Sequence, residues 1–220
     1  MVVSHMDEFS LIITGYNGID LTKFEKKNDN DKLRKDLGIN IGIPVFLAIG
    51  RLDEAKDYSN LLHAFSIFKE TLTFKEKHPI LLIAGDGELR SELENLICNL
   101  NLQSDVILLG RRDDIAALLN MSDFFVLSSK YEGLPTVVIE AMACETYVIA
   151  TDCGGSAEIM GTTGKLIPIQ NSIALSNAIN EVLKLSKVSI LDNNLVARKR
   201  VEDKFSLKSS VERWIELYES

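Results

Sequence analysis

The sequence predicts an α/β fold: a doubly wound, mostly parallel sheet with helices on both faces, followed by C-terminal helices. Two observations carry that reading. Between residues 43 and 169 short apolar runs recur, several nearly uninterrupted, as parallel strands covered on both faces require. Longer amphipathic segments separate them at the spacing of strand–helix–strand crossovers, which are right-handed and so place helices on both sides. A third observation bounds the class: no apolar run approaches the roughly 20 residues that cross a bilayer.

The predicted strands are IPVFLAIG (43–50), PILLIAG (79–85), VILLG (106–110), DFFVLS (123–128), YVIAT (147–151) and KLIPI (165–169). Helices are expected over 57–76, 87–100, 113–120, 135–144 and 155–160, then over 172–186, 190–204 and 207–219. The first 28 residues fit the alternation less well. FSLIITGYNGID predicts one strand and a turn, and a helix is expected at about 29–37, entered through the solvated charged run KKNDNDKLRKD.

At 220 residues one domain with a substantial core is the simplest organisation. A formal charge of −8, with no basic run beyond Arg198–Arg200, argues against a broad nucleic-acid surface but leaves room for a local phosphate site. Cys98, Cys144 and Cys153 lack metal-ligand spacing and read as core thiols of a reducing compartment. The N-terminal segment lacks a signal-peptide pattern, so the expected location is cytoplasmic.

Ligands of doubly wound sheets bind beyond the carboxyl ends of the strands, so the loops there hold the candidates. Arg51 and Lys56 follow the first sheet strand. They can straddle a diphosphate, or pair at the surface with Asp53, Glu54 or Asp57. GDGEL (85–89) has two of the three glycines of a dinucleotide loop and reads as a structural turn. GRRDDI (110–115) offers backbone polar groups to a planar base, with Asp113 or Asp114 as a helix cap. In YEGLPTVVIE (131–140), Pro135 suits a first helical position and the amides near Thr136 and Val137 are free donors for an anion. Glu132 and Glu140 would repel a phosphate but can accept hydrogens from hydroxyls; equally, both can face water or favour the positive helix end. DCGGSAEI (152–159) forms a further close-approach loop, with Glu158 either a hydroxyl acceptor or a surface acid.

Taken in order, NGID (17–20), IGRLDEAKDYSNLLHAF (49–65), ILLIAGDGELRSEL (80–93), VILLG (106–110), SSKYEGLPTVVIEAMAC (128–144) and VIATDCGGSAEI (148–159) resemble the C-terminal, donor-binding domain of a family 4 (group 1) retaining glycosyltransferase. The resemblance implies one half of a GT-B fold with a Rossmann-like sheet. Residues 1–220 would be the nucleotide-sugar domain, with 1–28 an interdomain junction and 207–220 a closing helix. It also implies that Arg51 and Lys56 grip the donor diphosphate and that Glu132 addresses the transferred sugar, these three forming the catalytic set. Gly133, Leu134, Pro135, Thr136 and Val137 would lie beside the sugar and phosphates, Glu140 would bind the ribose diol, and Arg111 and Arg112 would line the base pocket through their backbone. Two positions depart from the family pattern: Asp57 and Glu145 stand where glycine is common, and Glu145 must either avoid left-handed cap geometry or accept its cost.

The same resemblance implies a missing N-terminal domain that binds the acceptor and supplies a catalytic histidine. His63, in a core-like helical run, and His78, before Pro79, do not fit that role. The expected donor is a nucleoside-diphosphate sugar, UDP-sugar foremost, and the expected acceptor a saccharide or lipid-linked glycan, in a hexosyl- or N-acetylhexosaminyl-type transfer. No Asp-x-Asp or His cluster suggests a bound metal, the one such spacing, Asp29 to Asp31, falling in the solvated charged run, so metal-independent transfer is expected and no cofactor. The chain alone should bind donor but transfer little sugar, and peripheral contact with the inner face of a membrane would come through the absent domain. A sugar-nucleotide epimerase half and a non-catalytic nucleotide-binding or interaction module are the alternatives.

Overall fold

A computed structural model of the chain describes residues 18–27, 31–72 and 78–219. The strand expected within FSLIITGYNGID lies outside the described residues apart from its last three. Six strands form one sheet: β1 (Val45–Ile49), β2 (Ile80–Ala84), β3 (Val106–Gly110), β4 (Phe124–Leu127), β5 (Tyr147–Thr151) and β6 (Lys165–Ile167). Their order is β3-β2-β1-β4-β5-β6 and every neighbouring pair is parallel. The chain builds outward from β1 to β3, returns to lay β4 against the other side of β1, and builds outward again. That return opens a crevice at the carboxyl ends of β1 and β4.

Alternating side chains of each strand feed two separate cores. Val45, Leu47, Phe125, Leu127, Val148 and Ala150 face one layer, made by α1 (Asp31–Asp36), α4 (Ile115–Met121), α5 (Thr136–Ala143) and α8 (Lys187–Lys204). Phe46, Ala48, Phe124, Val126, Tyr147 and Ile149 face the other, made by α2 (Tyr58–Glu70), α3 (Arg90–Asn99) and α7 (Ser172–Val182). The register sets Phe46 opposite Phe124, with their rings stacked 4.8 Å apart, and Phe65 of α2 meets Phe46 edge-on at 6.2 Å. Burying each such ring contributes about 1.5–3 kcal/mol, so the β1–β4 seam beneath the crevice is firmly packed.

The short helix α6 (Ser156–Met160) follows β5, and α9 (Leu207–Glu219) closes the chain. Residues 18–20 are tied to that closure: the Ile19 amide donates to the Phe205 carbonyl at 2.9 Å, and the Leu207 amide donates to Ile19 at 3.1 Å. Helix α8 starts three residues earlier than expected because the Ser186 hydroxyl caps it, accepting from the Ser189 amide at 3.0 Å. Helix α2 ends at Glu70, short of the expected 76, and residues 73–77 are outside the described set.

Two sequence expectations are corrected. Cys144 and Cys153 are buried, but Cys98 lies on the outer face of α3 and is exposed. His63 is also exposed, because α2 buries the face made by Tyr58, Leu61, Leu62, Phe65 and Phe68 instead. Asp57 and Glu145, the two residues in place of glycine, both adopt left-handed backbone, at φ 49° and 54°. Glu145 therefore accepts the strained cap geometry, and its carbonyl is held there by the Asn194 side-chain amide of α8 at 2.8 Å.

Candidate functional site

The site is built from the two loops that leave β1 and β4. After β1, Gly50 and Arg51 lead into a single 3-10 turn, Glu54–Lys56, capped by Asp53, whose carboxylate accepts from the Lys56 amide. Asp57 then caps α2, accepting from the Asn60 amide. After β4, the Ser128 hydroxyl donates to the Lys56 carbonyl at 2.8 Å and the Lys130 amide donates to the Ala55 carbonyl at 2.8 Å. The two loops are thus strapped together across the strand reversal.

At the centre of the strap the Lys56 ammonium meets Glu132 Oε1 at 2.5 Å, and the Ser129 hydroxyl donates to the same oxygen at 2.7 Å. Both charged side chains are largely enclosed, 20% and 12% exposed, so their attraction is less screened than that of a surface pair. From β5 the Thr151 hydroxyl donates to the Ser129 carbonyl at 2.6 Å and fixes the base of the loop. The loop after β5 fits beneath it: the Gly155 amide donates to the Gly133 carbonyl at 2.9 Å, and a Cβ on Gly154 would stand 2.2 Å from the Glu132 carbonyl oxygen.

Of the two readings open for Arg51 and Lys56, surface pairing with Asp53, Glu54 or Asp57 does not hold for Lys56. Asp53 and Asp57 are occupied as caps, and Glu54 pairs with Lys130 at 3.3 Å. Arg51 is exposed, and among the described residues its guanidinium makes no hydrogen bond or ion pair.

Helix α5 begins one residue later than expected. Pro135 sits at the N-cap with ψ 86°, outside the helix, and Thr136 is the first helical residue. No side chain caps this end, whereas α2, α7 and α8 are each capped by one. The opening amides of Thr136 and Val137 have no carbonyl upstream in the helix to bond, which leaves a positive end beside Glu132. Gly133 and Thr136 are exposed there, while Leu134 packs into the core below.

One turn further along α5, Glu140 is half-buried, and among the described residues its carboxyl has no hydrogen-bond or ion-pair partner. Burial pushes its pKa up to about 7, with the charge of Lys23 opposing the shift.

Arg111 and Arg112 follow β3, the outermost strand, so β2 separates them from the end of β1 by two strand spacings, about 10 Å. Arg111 is exposed. The Arg112 guanidinium forks onto Asp114, with contacts of 2.8 and 2.5 Å, and its hydrogen bond holds the Asp114 carboxyl below the ordinary range. Asp114 therefore stands at the N-cap of α4 without capping it through its side chain.

The expected residues thus fall in a row along the carboxyl edge, with Lys56, Glu132 and the start of α5 together and the two arginines at the far end. GDGEL is a structural turn, as read from the sequence: a Cβ on Gly85 would stand 1.8 Å from the Gly50 carbonyl oxygen, so these glycines let two backbones approach. The close approach expected of DCGGSAEI is found at Gly154; Ser129 and Thr151 are not among the sequence candidates, and the signal for the first is the pair of serines directly after an apolar strand in VLSSK. Among the described residues no group of three or more His, Cys, Asp or Glu side chains is disposed to hold a metal ion, and no helix is long and apolar enough to cross a membrane.

A parallel sheet in this strand order, with polar loops gathered at its reversal, defines a Rossmann-like domain of the kind that forms half of a GT-B enzyme. The chain belongs to the glycosyl transferases group 1 family, whose model matches residues 29–200. It is 30% identical over 211 residues to N-acetyl-alpha-D-glucosaminyl L-malate synthase of Bacillus anthracis, covering 94% of this chain and 53% of the relative. It is 31% identical over 196 residues to N-acetylgalactosamine-N,N'-diacetylbacillosaminyl-diphospho-undecaprenol 4-alpha-N-acetylgalactosaminyltransferase of Campylobacter jejuni, covering 87% and 50%. Among solved structures it superposes on Anabaena HepE in complex with UDP and glucose with a TM-score of 0.81 and 25% identity, over 93% of this chain and 56% of that one. The chain spans about half the length of these relatives.

Proposed function

We propose that this domain is the donor-binding half of a retaining glycosyltransferase of family 4, taking a nucleoside-diphosphate sugar and delivering its sugar to a saccharide or lipid-linked acceptor in glycan assembly. The observation that carries the reading is the meeting of Lys56 and Glu132 at the strand reversal, beside the uncapped start of α5. A cation for phosphate, an acid for neutral hydroxyls and free helix amides lie side by side there. A sugar diphosphate needs that combination.

In this reading Arg51, Lys56 and the α5 amides stabilise the negative charge that grows on the departing diphosphate as the glycosidic bond breaks. Glu132 holds the sugar so that its reactive carbon faces the acceptor. The half-buried Glu140 accepts hydrogens from the ribose diol, and the backbone near Arg111 and Arg112 lies along the base. The diphosphate charge is met by these cations and amides, so transfer is expected to be metal-independent. UDP is the favoured nucleotide, because HepE, which shares the fold and a quarter of the sequence, is seen with UDP.

The acceptor is taken as a saccharide or a lipid-linked glycan on the strength of the Campylobacter relative's name, and any membrane contact belongs with that acceptor. Acceptor binding and the catalytic histidine are assigned to an N-terminal domain facing the crevice. The matching of only about half of each relative supports that division. Alone, residues 1–220 should bind donor and turn over very little. The cytoplasm is the expected compartment.

Calorimetric titration with UDP, GDP and ADP, with and without EDTA, tests the reading. One-to-one UDP binding, insensitive to EDTA and weakened about tenfold to a hundredfold by Glu140→Ala, is the expected result. No affinity for any of the three nucleotides would overturn it.

A further inference from the structure

The Tyr58 hydroxyl is buried at the first turn of α2, and among the described residues it has no hydrogen-bond partner. A buried hydroxyl left unmade costs about 1–3 kcal/mol, so its retention beside a functional site calls for an explanation. Its position supplies one. The space above Gly50, where any other residue would carry Cβ, is lined by Lys56 Cε at 2.9 Å and by Tyr58 Oη at 3.0 Å. The Lys56 ammonium is one bond beyond Cε and is turned instead to Glu132. Tyr58 stays protonated, because burial, reinforced by the charges of Asp53 and Glu132, raises its pKa far above the ordinary value.

We propose that Tyr58 is a positioning residue that gives Lys56 a second anchor. While the ammonium is held by Glu132, it is turned toward the acid rather than toward a diphosphate, and Glu132 Oε1 is committed to Lys56 and Ser129. When a diphosphate enters, the ammonium swings off Glu132 and donates one hydrogen to Tyr58 Oη and another to a phosphate oxygen. Glu132, retaining the Ser129 hydrogen bond, is released to accept from the ligand. The lone pairs of the orphan oxygen are the acceptor this second position requires. The inference rests on the donor-site reading for its ligand but not for its anchor, and the two can be tested apart.

The anchor is tested by a double-mutant cycle in thermal stability, without ligand, using Tyr58→Phe, Glu132→Gln and the double variant. In the wild-type background Tyr58→Phe should leave the melting temperature unchanged or raise it, since it removes an unsatisfied group. With Glu132→Gln the ammonium keeps only a neutral amide oxygen in place of the carboxylate and shifts toward Tyr58, so the same substitution should then lower the melting temperature by several degrees. In parallel, Tyr58→Phe should weaken UDP binding about five- to twentyfold. Additivity in the cycle together with unchanged UDP affinity overturns the proposal. A non-additive cycle in a chain that binds no nucleotide supports the anchor and overturns the donor reading. Additivity with tight UDP binding overturns the anchor and leaves the donor site standing.

Discussion

Glu132 and Glu140 stand eight residues apart in one short stretch and in opposite electrostatic conditions. The first is enclosed but matched: Lys56 faces it, Ser129 donates to it, and the loop under it is fixed from β5. The second is half-buried and unmatched, with a pKa pushed up to about 7 by burial against the opposing charge of Lys23. The helices that follow β1 and β4 differ in the same sense, α2 being capped by Asp57 and α5 by no side chain. One side of the crevice is therefore matched by its own ion pair, while the other keeps unsatisfied groups among the described residues. A neutral hydroxyl partner would satisfy Glu140 and an anion would satisfy the α5 amides. The paired side must first be opened.

The largest effect should come from breaking the matched side. Lys56→Ala leaves the Glu132 carboxylate enclosed with only Ser129 to satisfy it. The unfolding free energy should fall by about 2–3 kcal/mol, somewhat less than for a fully buried pair because both groups retain some solvent. That corresponds to a drop of about 4–12 °C in melting temperature. UDP affinity should fall about tenfold to a hundredfold with it. A variant as stable as the wild type would show that the pair is a loose surface contact.

How much of this was readable beforehand follows from where the information resides. All six strands could be placed because their apolar runs are local and bounded by turns, as in VFLAI and YVIAT. The carboxyl edge could be named too, since it follows from strand–helix alternation, but not the crevice between β1 and β4, which depends on strand order. The Lys56–Glu132 contact could not be read from residue chemistry alone: the partners are 76 residues apart and meet only because β4 returns to the side of β1. The left-handed backbone at Asp57 and Glu145 was half legible, as residues standing where glycine is common; which way each resolved depended on contacts such as Asn194 with the Glu145 carbonyl. The exposure of His63 and Cys98 was misread because an apolar neighbourhood in sequence does not say which helical face turns inward.

The unmatched side predicts a smaller effect of opposite sign. Between about pH 4.5 and 7 the folded chain retains the Glu140 proton that the unfolded chain has released, so this group's contribution to stability declines as pH rises through that window and is fully unfavourable above it. Glu140→Gln should therefore stabilise the chain at pH 8, by about 1–2 kcal/mol after allowing for partial solvent exposure, and give no gain at pH 4. UDP affinity should move the other way. It should rise more steeply from pH 6 to pH 8 in the wild type, where the carboxylate becomes available to the ribose hydroxyls, than in the variant, where only the terminal phosphate of UDP titrates. Parallel stability curves for the two proteins across this range would mean that Glu140 is solvated after all.

The smallest effect is expected at the far end of the row, and it limits how far the paired site extends. Arg112 and Asp114 form a forked ion pair, but the two side chains are 29% and 39% exposed, so solvent screens much of their attraction. Arg112→Ala should cost no more than about 0.2–1 kcal/mol. Because Arg112 holds the Asp114 carboxyl below its ordinary value of 3.8, that difference should be present above pH 3.8 and disappear as the pH falls below it. UDP affinity should change less than about threefold if the base is met by the backbone here, since removing a guanidinium committed to Asp114 takes away no ligand contact. A tenfold loss would require the Arg112 fork to leave Asp114 for the nucleotide, making this a second ion pair that the ligand must open and extending the behaviour of Lys56 and Glu132 across the whole carboxyl edge.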